Sequence, residues 1–181
     1  MSKQELRQQI RKQKRQYSPQ QLAALSLPIV TQVASLIDDA RTVMAYWSLP
    51  DEVDTHQLID RLMDRGVIVV LPRVTGKGTM ELRRFLGTTS LTPGAFGIME
   101  PTGPLFTDYD AIDAVVVPGM AFTADGRRLG RGGGYYDRLL PQLRHARRIG
   151  VAFPFQLVAD IPEENHDATV DQVVCQRDNE K

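Results

Sequence analysis

The residues best suited to chemistry lie in one stretch, DGRRLGRGGGYYDRLL, at residues 125–140. Four glycines fall within residues 130–134. Backbone without side chains lets successive N–H groups point at one anion, and phosphate is the ligand that such groups most often bind. Arg127, Arg128 and Arg131 could add charge-assisted hydrogen bonds to phosphate oxygens. The stretch therefore predicts a phosphate-binding loop. The alternative from these residues alone is an exposed glycine-rich connector with solvated arginines.

The glycines match neither of two common phosphate-binding patterns. No Gly-Lys-Ser/Thr sequence follows them, as a P-loop requires, and Tyr135 stands where a dinucleotide-binding fingerprint has its third glycine. Asp137 falls in the first turn of a helix predicted to begin near Tyr135 or Tyr136, where a carboxylate suits the helix dipole but repels a phosphate. A Mg²⁺ ion between them would remove that repulsion, so a dipole role and a metal role both stay open for Asp137.

The elements that must position this loop alternate between helix and strand. Leu6 and Ile10 predict a helix over residues 3–16, and Ser18 followed by Pro19 predicts the start of a second helix. Further on, strands are predicted for TVMAYWSL, VIVVLPRV, MELRRF, IDAVVVPG, RRIGVAF and QVVCQ, a helix for THQLIDRLMDRG, and a loop for residues 87–106.

These patterns predict an α/β fold. Strands buried on both faces and separated by helices are typical of a three-layer αβα sandwich with a mostly parallel, Rossmann-like sheet. We expect a single domain over residues 1–181, because no linker, repeat or low-complexity segment divides the chain. Ligands of such folds bind beyond the carboxyl ends of the strands, and IDAVVVPG leads towards residues 125–140 at that edge.

Composition limits the partners that the chain can have. Its 22 basic and 22 acidic residues leave no net charge, which argues against a nucleic-acid partner and requires any anion site to be local. Cys175 is the only cysteine, which agrees with a reducing compartment, and no apolar run approaches the roughly 20 residues that cross a bilayer. We therefore expect a cytoplasmic monomer with neither a membrane nor a nucleic-acid partner.

A resemblance to a known family rests on the same stretch and on several others. VVVPGMAFTADGRRLGRGGGYYDRLL resembles the signature of 5-formyltetrahydrofolate cyclo-ligases, also called methenyltetrahydrofolate synthetases. The segments SKQELRQQIR, AYWSLPDEVDT, LPRV, GIMEP and TVDQVV resemble the family as well, so the likeness covers nearly the whole chain. One departure is Thr123, where the pattern usually has Asp after Phe122. It bears on anchoring of the loop more than on the reaction.

The resemblance implies an ATP- and Mg²⁺-dependent ring closure. In that reaction 5-formyltetrahydrofolate, free or polyglutamated, becomes 5,10-methenyltetrahydrofolate with release of ADP and phosphate. ATP is needed because the formyl oxygen is a poor leaving group until it is phosphorylated, after which the folate N10 can attack within the same molecule. The protein then has mainly to hold the γ-phosphate in line with the formyl oxygen and to neutralise charge.

The resemblance also implies roles for individual residues. It implies that Arg131 and Tyr135 are catalytic and that Asp137 and Asp171 bind the metal. Contacts with ATP are implied for Lys3, Arg7, Arg128, Leu129, Gly130, Arg131, Gly132, Gly133, Gly134, Tyr135 and Tyr136. Contacts with the folate substrate are implied for Arg7, Trp47, Glu52, Arg131, Gly132, Gly133, Gly134 and Tyr135.

The residues alone leave other roles open. Lys3 and Arg7 could form a solvated basic face, Glu52 could start a helix, Trp47 could belong to the core, and Asp171 could cap a turn. His56, His145 and His166 occur singly, without metal-ligand spacing, so no histidine chemistry is predicted. A non-catalytic nucleotide-binding regulatory protein is the alternative function, since it too would need the glycine-rich loop.

Overall fold

The computed structural model of the chain describes residues 1–176. The helices are α1 (Lys3–Lys14), α2 (Pro19–Leu36), α3 (His56–Asp64) and α4 (Tyr135–Leu139). The strands are β1 (Thr42–Met44), β2 (Ile68–Gly76), β3 (Thr79–Arg84), β4 (Leu91–Pro93), β5 (Met99–Pro101), β6 (Leu105–Phe106), β7 (Ala114–Val117), β8 (Ala121–Phe122), β9 (Arg128–Leu129), β10 (Arg147–Val151) and β11 (Gln172–Val174).

A seven-stranded sheet with the order β11-β10-β7-β1-β2-β3-β6 forms the centre of the fold. The five strands from β11 to β2 are parallel to their neighbours, whereas β3 and β6 pair antiparallel at one edge. All four residues of β7, in the middle of the parallel part, are buried. The prediction of a mostly parallel sheet in an α/β fold is therefore confirmed.

The N-terminal half follows its local signals closely. Ser18 caps α2 and exchanges hydrogen bonds with Gln21, while Pro19 occupies the first helical position, where its missing N–H costs nothing. β1, α3 and β2 form the predicted βαβ unit, and the turn after α3 ends at Gly66, whose φ of 76° suits glycine.

Apolar side chains cover both faces of the sheet. One cluster joins the sheet to α2 and α3, and a second joins the opposite face to α4 and the turn that follows it. A third, smaller cluster lies between α1 and the β8–β9 hairpin. No helix within residues 1–176 is both long enough and apolar enough to cross a membrane.

The prediction of a loop over residues 87–106 is wrong in part. β4 and β5 pair as a small antiparallel hairpin, and β6 extends the main sheet. The carboxylate of the buried Glu100 accepts hydrogen bonds from the Ala95 amide in the hairpin turn and from the Val74 amide of β2, and so joins the hairpin to β2. Three-residue strands bordered by proline and glycine carry no alternating pattern, so the sequence gives no local sign of them.

Candidate active site

The segment between β7 and α4 contains most of the predicted site. After β7 the chain forms the β8–β9 hairpin, and residues 130–134, here called the glycine loop, then lead into α4. Gly132 and Gly134 have φ values of 114° and 73°, which favour glycine. In the described part of the chain, the amides of Gly132, Gly133 and Gly134 donate no hydrogen bond to the protein. The glycine loop thus presents unpaired donors of the kind that bind phosphate.

α4 begins at Tyr135, as predicted, but it is only five residues long. Because so short a helix has a small dipole, anion binding here would depend on the individual N–H groups rather than on a helix field. The ring of Tyr135 lies against the glycine loop, since a Cβ at Gly133 would be 2.4 Å from a ring carbon. Phe96, at the tip of the β4–β5 hairpin, meets the same ring edge-on with 6.3 Å between ring centres.

α1 brings Arg7 to the glycine loop. Arg7 Nε donates a hydrogen bond of 2.8 Å to the carbonyl oxygen of Gly130, and a Cβ at Gly132 would lie 3.7 Å from the guanidinium carbon. The helix is held there by its apolar stripe, which packs in a cluster of Leu6, Ile10, Met120, Ala121, Leu129 and Ile161. Since the Leu129 side chain is buried in this cluster, any ligand contact of that residue would come from its backbone.

Lys3, one turn before Arg7, has acidic partners. Its Nζ lies 2.6 Å from Asp167 and 3.3 Å from Glu164. Burial alone would lower the pKa of Lys3, but its hydrogen bonds to the two carboxylates raise it. Glu164, His166 and Asp167 have ligand atoms within 4.8 Å of one another, and the Lys3 ammonium offsets one of the two carboxylate charges in this cluster.

Arg128 is buried where β7 meets the start of α4. Its Nε donates a hydrogen bond of 2.7 Å to the carbonyl oxygen of Pro118, and its guanidinium carbon lies 4.9 Å from the centre of the Tyr136 ring. Burial lowers the pKa of Arg128 and raises the pKa of the Tyr136 hydroxyl. Arg128 therefore has a structural role in addition to the contact with ATP that the sequence predicts for it.

The β8–β9 hairpin uses Arg127 and Thr123 for its own structure. Arg127 Nη1 lies 2.6 Å from Asp160 and 3.1 Å from the carbonyl oxygen of Ile161, so it pairs with that segment and not with the glycine loop. The Thr123 hydroxyl is buried, accepts a hydrogen bond of 3.0 Å from the Arg127 amide and contacts Asp125. Thr123 thus anchors the hairpin turn at the position where the family pattern usually has Asp.

Glu52 follows β1 and lines a small cavity. It is largely buried, accepts a hydrogen bond of 2.9 Å from the Leu49 amide, and its pKa is raised by burial. The cavity has a volume of about 200 Å³ and is lined by Pro19, Ala23, Ser48, Leu49, Pro50, Glu52, Asp54 and His56. A carboxylate in such a wall suits a ligand that carries paired N–H donors.

Trp47 lies behind this cavity in a stack of rings. Its indole is 3.9 Å from the His56 ring, with 17° between the planes, and 5.6 Å from the Phe85 ring. His56, rather than Trp47, lines the cavity. The sequence reasoning set His56 aside because a histidine without metal-ligand spacing gives no signal, and only the fold brings it beside Glu52.

Arg131 links the glycine loop to the cavity. Its Nη2 lies 3.4 Å from Asp51 and 3.8 Å from Glu52. Lys14, at the end of α1, approaches the same acidic pair, with its Nζ 3.5 Å from Asp51. The sequence reasoning missed Lys14 and Asp51. One signal could have indicated that Lys14 is buried: it follows Ile10 by four residues and so continues the buried stripe of α1.

The two predicted metal ligands have different partners. Asp137 accepts a hydrogen bond of 3.0 Å from the Ala168 amide and lies 3.9 Å from Arg128 Nη1, next to the glycine loop. Asp171 accepts a hydrogen bond of 2.7 Å from the Arg148 amide, beside the amino end of β11. Asp137 therefore lies in the first turn of α4, directly after the glycine loop, whereas Asp171 acts in the structure as a partner of β10.

Solved structures and curated relatives resemble this chain over nearly its full length. The NMR structure of Aquifex aeolicus 5,10-methenyltetrahydrofolate synthetase is 34% identical, with a TM-score of 0.83 over 97% of this chain and 90% of that one. The 5-formyltetrahydrofolate cyclo-ligases of Saccharomyces cerevisiae and Escherichia coli strain K12 are 32% and 30% identical, covering 96% and 91% of this chain and 95% of each relative. The likeness defines the class of protein, an α/β enzyme with the methenyltetrahydrofolate synthetase fold.

The family can also be stated. The model of the 5-formyltetrahydrofolate cyclo-ligase family matches residues 1–176. The chain belongs to this family and is therefore a ligase.

Proposed function

We propose that the protein converts 5-formyltetrahydrofolate to 5,10-methenyltetrahydrofolate and uses ATP and Mg²⁺ to do so. Membership of the cyclo-ligase family supports the ring closure. The unpaired amides of the glycine loop, with Arg7 beside them, support a phosphate-bearing second substrate. The cavity at Glu52 supports a heterocycle with adjacent N–H donors, as the pterin ring of a folate has.

The proposed reaction has two steps. The formyl oxygen attacks the γ-phosphorus of ATP, so that a new P–O bond forms and ADP leaves with the electrons of the broken one. N10 of the same folate then attacks the activated carbon and loses its proton, and the C–O bond breaks to release phosphate. The second step is intramolecular and needs little help from the protein. The protein therefore accelerates the reaction mainly in the first step, by holding the formyl oxygen in line with the γ-phosphate.

The residues of this chain would divide that work between them. Amides of the glycine loop would hold the phosphates, and Arg7 would fix the loop through Gly130. Glu52 would accept hydrogen bonds from the pterin. Tyr135, whose ring is fixed by contact with Gly133, would cover the point where the two substrates meet.

Asp137 fits a role in holding Mg²⁺. Asp137 follows the glycine loop, and its carboxylate accepts one hydrogen bond from the Ala168 amide. Its remaining oxygen lone pairs could bind an ion that is held on the phosphates. When bound, the ion would neutralise charge on the transferred phosphoryl group. Asp171, which pairs with the Arg148 amide, stays a prediction as a second carboxylate.

The contact between Arg131 and Glu52 is the observation that carries this proposal. One residue of the glycine loop lies 3.8 Å from the carboxylate that lines the cavity, so a phosphate on the loop and a pterin in the cavity would be neighbours. A direct transfer between two substrates requires that proximity. Arg131 could exchange Glu52 for the transferred phosphate as the reaction begins.

The decisive assay follows the absorbance of the methenyl product after the enzyme is mixed with 5-formyltetrahydrofolate and MgATP. We expect the absorbance and the ADP released to rise together in equal amounts, and neither to rise when ATP or the folate is left out. Tight ATP binding without product would instead favour the alternative, a non-catalytic nucleotide-binding regulator.

An Arg131→Ala variant tests the phosphate role within this assay. We expect a loss of kcat of about a hundredfold or more, because a charge-assisted contact in the transition state is removed. Arg144→Ala is the matched control, since Arg144 is exposed and pairs only loosely with Asp110, at 3.8 Å. Equal turnover in the two variants would contradict the role of Arg131.

A further inference from the structure

Lys14 is a buried cation at the end of an otherwise apolar stripe. The buried residues of α1 are Leu6, Ile10 and Lys14, spaced four residues apart. Only 5% of the Lys14 side chain is exposed. A lysine at this depth loses hydration and is found where a nearby anion compensates for the loss. Its position therefore indicates a specific charge partner rather than a solvated surface.

The partner is the acidic pair formed by Asp51 and Glu52. Lys14 Nζ lies 3.5 Å from Asp51 Oδ2, and its charge also acts on Glu52. Arg131 contacts the same two carboxylates from the glycine loop. Two cations and two anions thus balance each other in one cluster.

Arg131 and Lys14 differ in how easily each side chain can move away from the two carboxylates. The Arg131 side chain is 46% exposed and belongs to a loop, whereas Lys14 is fixed on a helix and almost fully buried. If Arg131 turns to a phosphate, Lys14 is the charge that stays with the carboxylates. Resting on the proposed function of Glu52 and Arg131, we propose that Lys14 is a positioning residue that keeps the Asp51–Glu52 pair anionic and in place, which frees Arg131 for the phosphate.

Electrostatics give the direction of the effect. Burial raises the pKa of Glu52, and Arg131 and Lys14 oppose that rise. The other charged or titratable groups around Glu52 are Asp51, Asp54, Tyr46, Tyr136 and His56, which lines the same cavity; among the described residues here, Arg131 and Lys14 are the permanent cations. Removing Lys14 therefore moves protonation of Glu52 to higher pH, most strongly when Arg131 is engaged elsewhere.

The test compares Lys14→Met with Lys14→Arg and with Lys12→Met, which removes an exposed charge from the same helix. In the ligand-free protein, the carboxyl resonance of Glu52, assigned with Glu52→Gln, is followed by NMR against pH. We expect its midpoint to move to higher pH in Lys14→Met only. An unchanged midpoint would overturn the proposal. This readout needs no substrate, so it does not depend on the proposed function.

Substrate affinity supplies the second readout. We expect Lys14→Met to bind 5-formyltetrahydrofolate about tenfold more weakly at mildly acidic pH and to recover at higher pH, with Lys14→Arg close to the wild type. Removing one partner of a buried charge pair lowers the unfolding temperature, so binding is measured well below the unfolding midpoint of each variant, where unfolding does not explain the loss. The titration midpoint of Glu52 could move while the affinity for 5-formyltetrahydrofolate stays the same. That result would support the effect of Lys14 on Glu52 and contradict the proposed contact of Glu52 with the pterin.

Discussion

Arg7 and Gly130 are joined by a hydrogen bond of 2.8 Å from the guanidinium Nε to the carbonyl oxygen, although they are 123 positions apart in the sequence. The contact fixes one end of the glycine loop to α1. It leaves the terminal nitrogens of Arg7 next to Gly132, where a bound phosphate would meet them. The position of α1 therefore shapes the proposed phosphate site.

Arg7→Ala should weaken the use of ATP. Loss of a hydrogen bond to a charged donor costs about 1.5–3 kcal/mol, so we expect KM for ATP to rise about tenfold to a hundredfold. Steady-state kinetics at saturating folate measures this change. Arg15→Ala, at the exposed C-cap of α1, is the control and should behave as the wild type. An unaltered KM for ATP in Arg7→Ala would count against the role of this residue.

Gly133→Ala should impair catalysis more than stability. The added Cβ would lie 2.4 Å from the Tyr135 ring, so the ring must move, whereas the backbone at this position needs no positive φ. Misplacing a group at the reacting centre lowers rate steeply, and we expect kcat/KM to fall by at least about tenfold.

Gly66→Ala provides the converse control for Gly133→Ala. It introduces a side chain at a φ of 76° with no atom within 4 Å. It should lower the free energy of unfolding by about 1–2 kcal/mol and leave kinetics intact. Full activity in Gly133→Ala would show that the Tyr135 ring can shift without consequence.

Glu52→Gln should change the pH dependence of folate binding. Because burial raises the pKa of Glu52, affinity in the wild type should decline as pH falls, starting above the range where an exposed carboxylate is protonated. The variant should bind about tenfold to a hundredfold more weakly at neutral pH and lack that acidic decline. Calorimetric titration at several pH values makes the comparison. Glu163→Gln, an exposed position, should keep the wild-type profile.

Arg128→Met should destabilise the fold. It leaves the Pro118 carbonyl oxygen without its donor and removes the contact with the Tyr136 ring, for a loss of about 2 kcal/mol. For a chain of this size the melting temperature should fall by about 4–8 °C. Arg61→Met, on the exposed side of α3, is the control for loss of a guanidinium. Equal melting temperatures would mean that Arg128 is held for ligand binding alone.

The parts of the fold with local signals could be predicted from the sequence. Ser18 and Pro19 mark the start of α2, and the unbroken apolar run of β7 indicates a strand covered on both sides. The β4–β5 hairpin could not be predicted in this way. Glu100 supports it from within, by accepting hydrogen bonds from the Ala95 amide in the hairpin and from the Val74 amide of β2, and such contacts leave no periodic pattern.

Some residues of the candidate site could likewise be predicted from the sequence, and others could not. Spacing and resemblance identified the glycine loop, Glu52 and Arg7 as candidates, because their residue types suit phosphate and pterin chemistry. The sequence could not indicate that Arg131 contacts Asp51 and Glu52, or that Lys14 joins them. Contacts between residues 14, 51 and 131 arise from the way the chain folds, so no short motif encodes them.

α1 touches both halves of the site, through Arg7 at the glycine loop and through Lys14 at the acidic pair. Because both residues belong to one helix, a shift of α1 that alters the contact at one end also alters the contact at the other. If the proposed nucleotide and folate sites are coupled in this way, linkage requires each ligand to change the affinity for the other by the same factor.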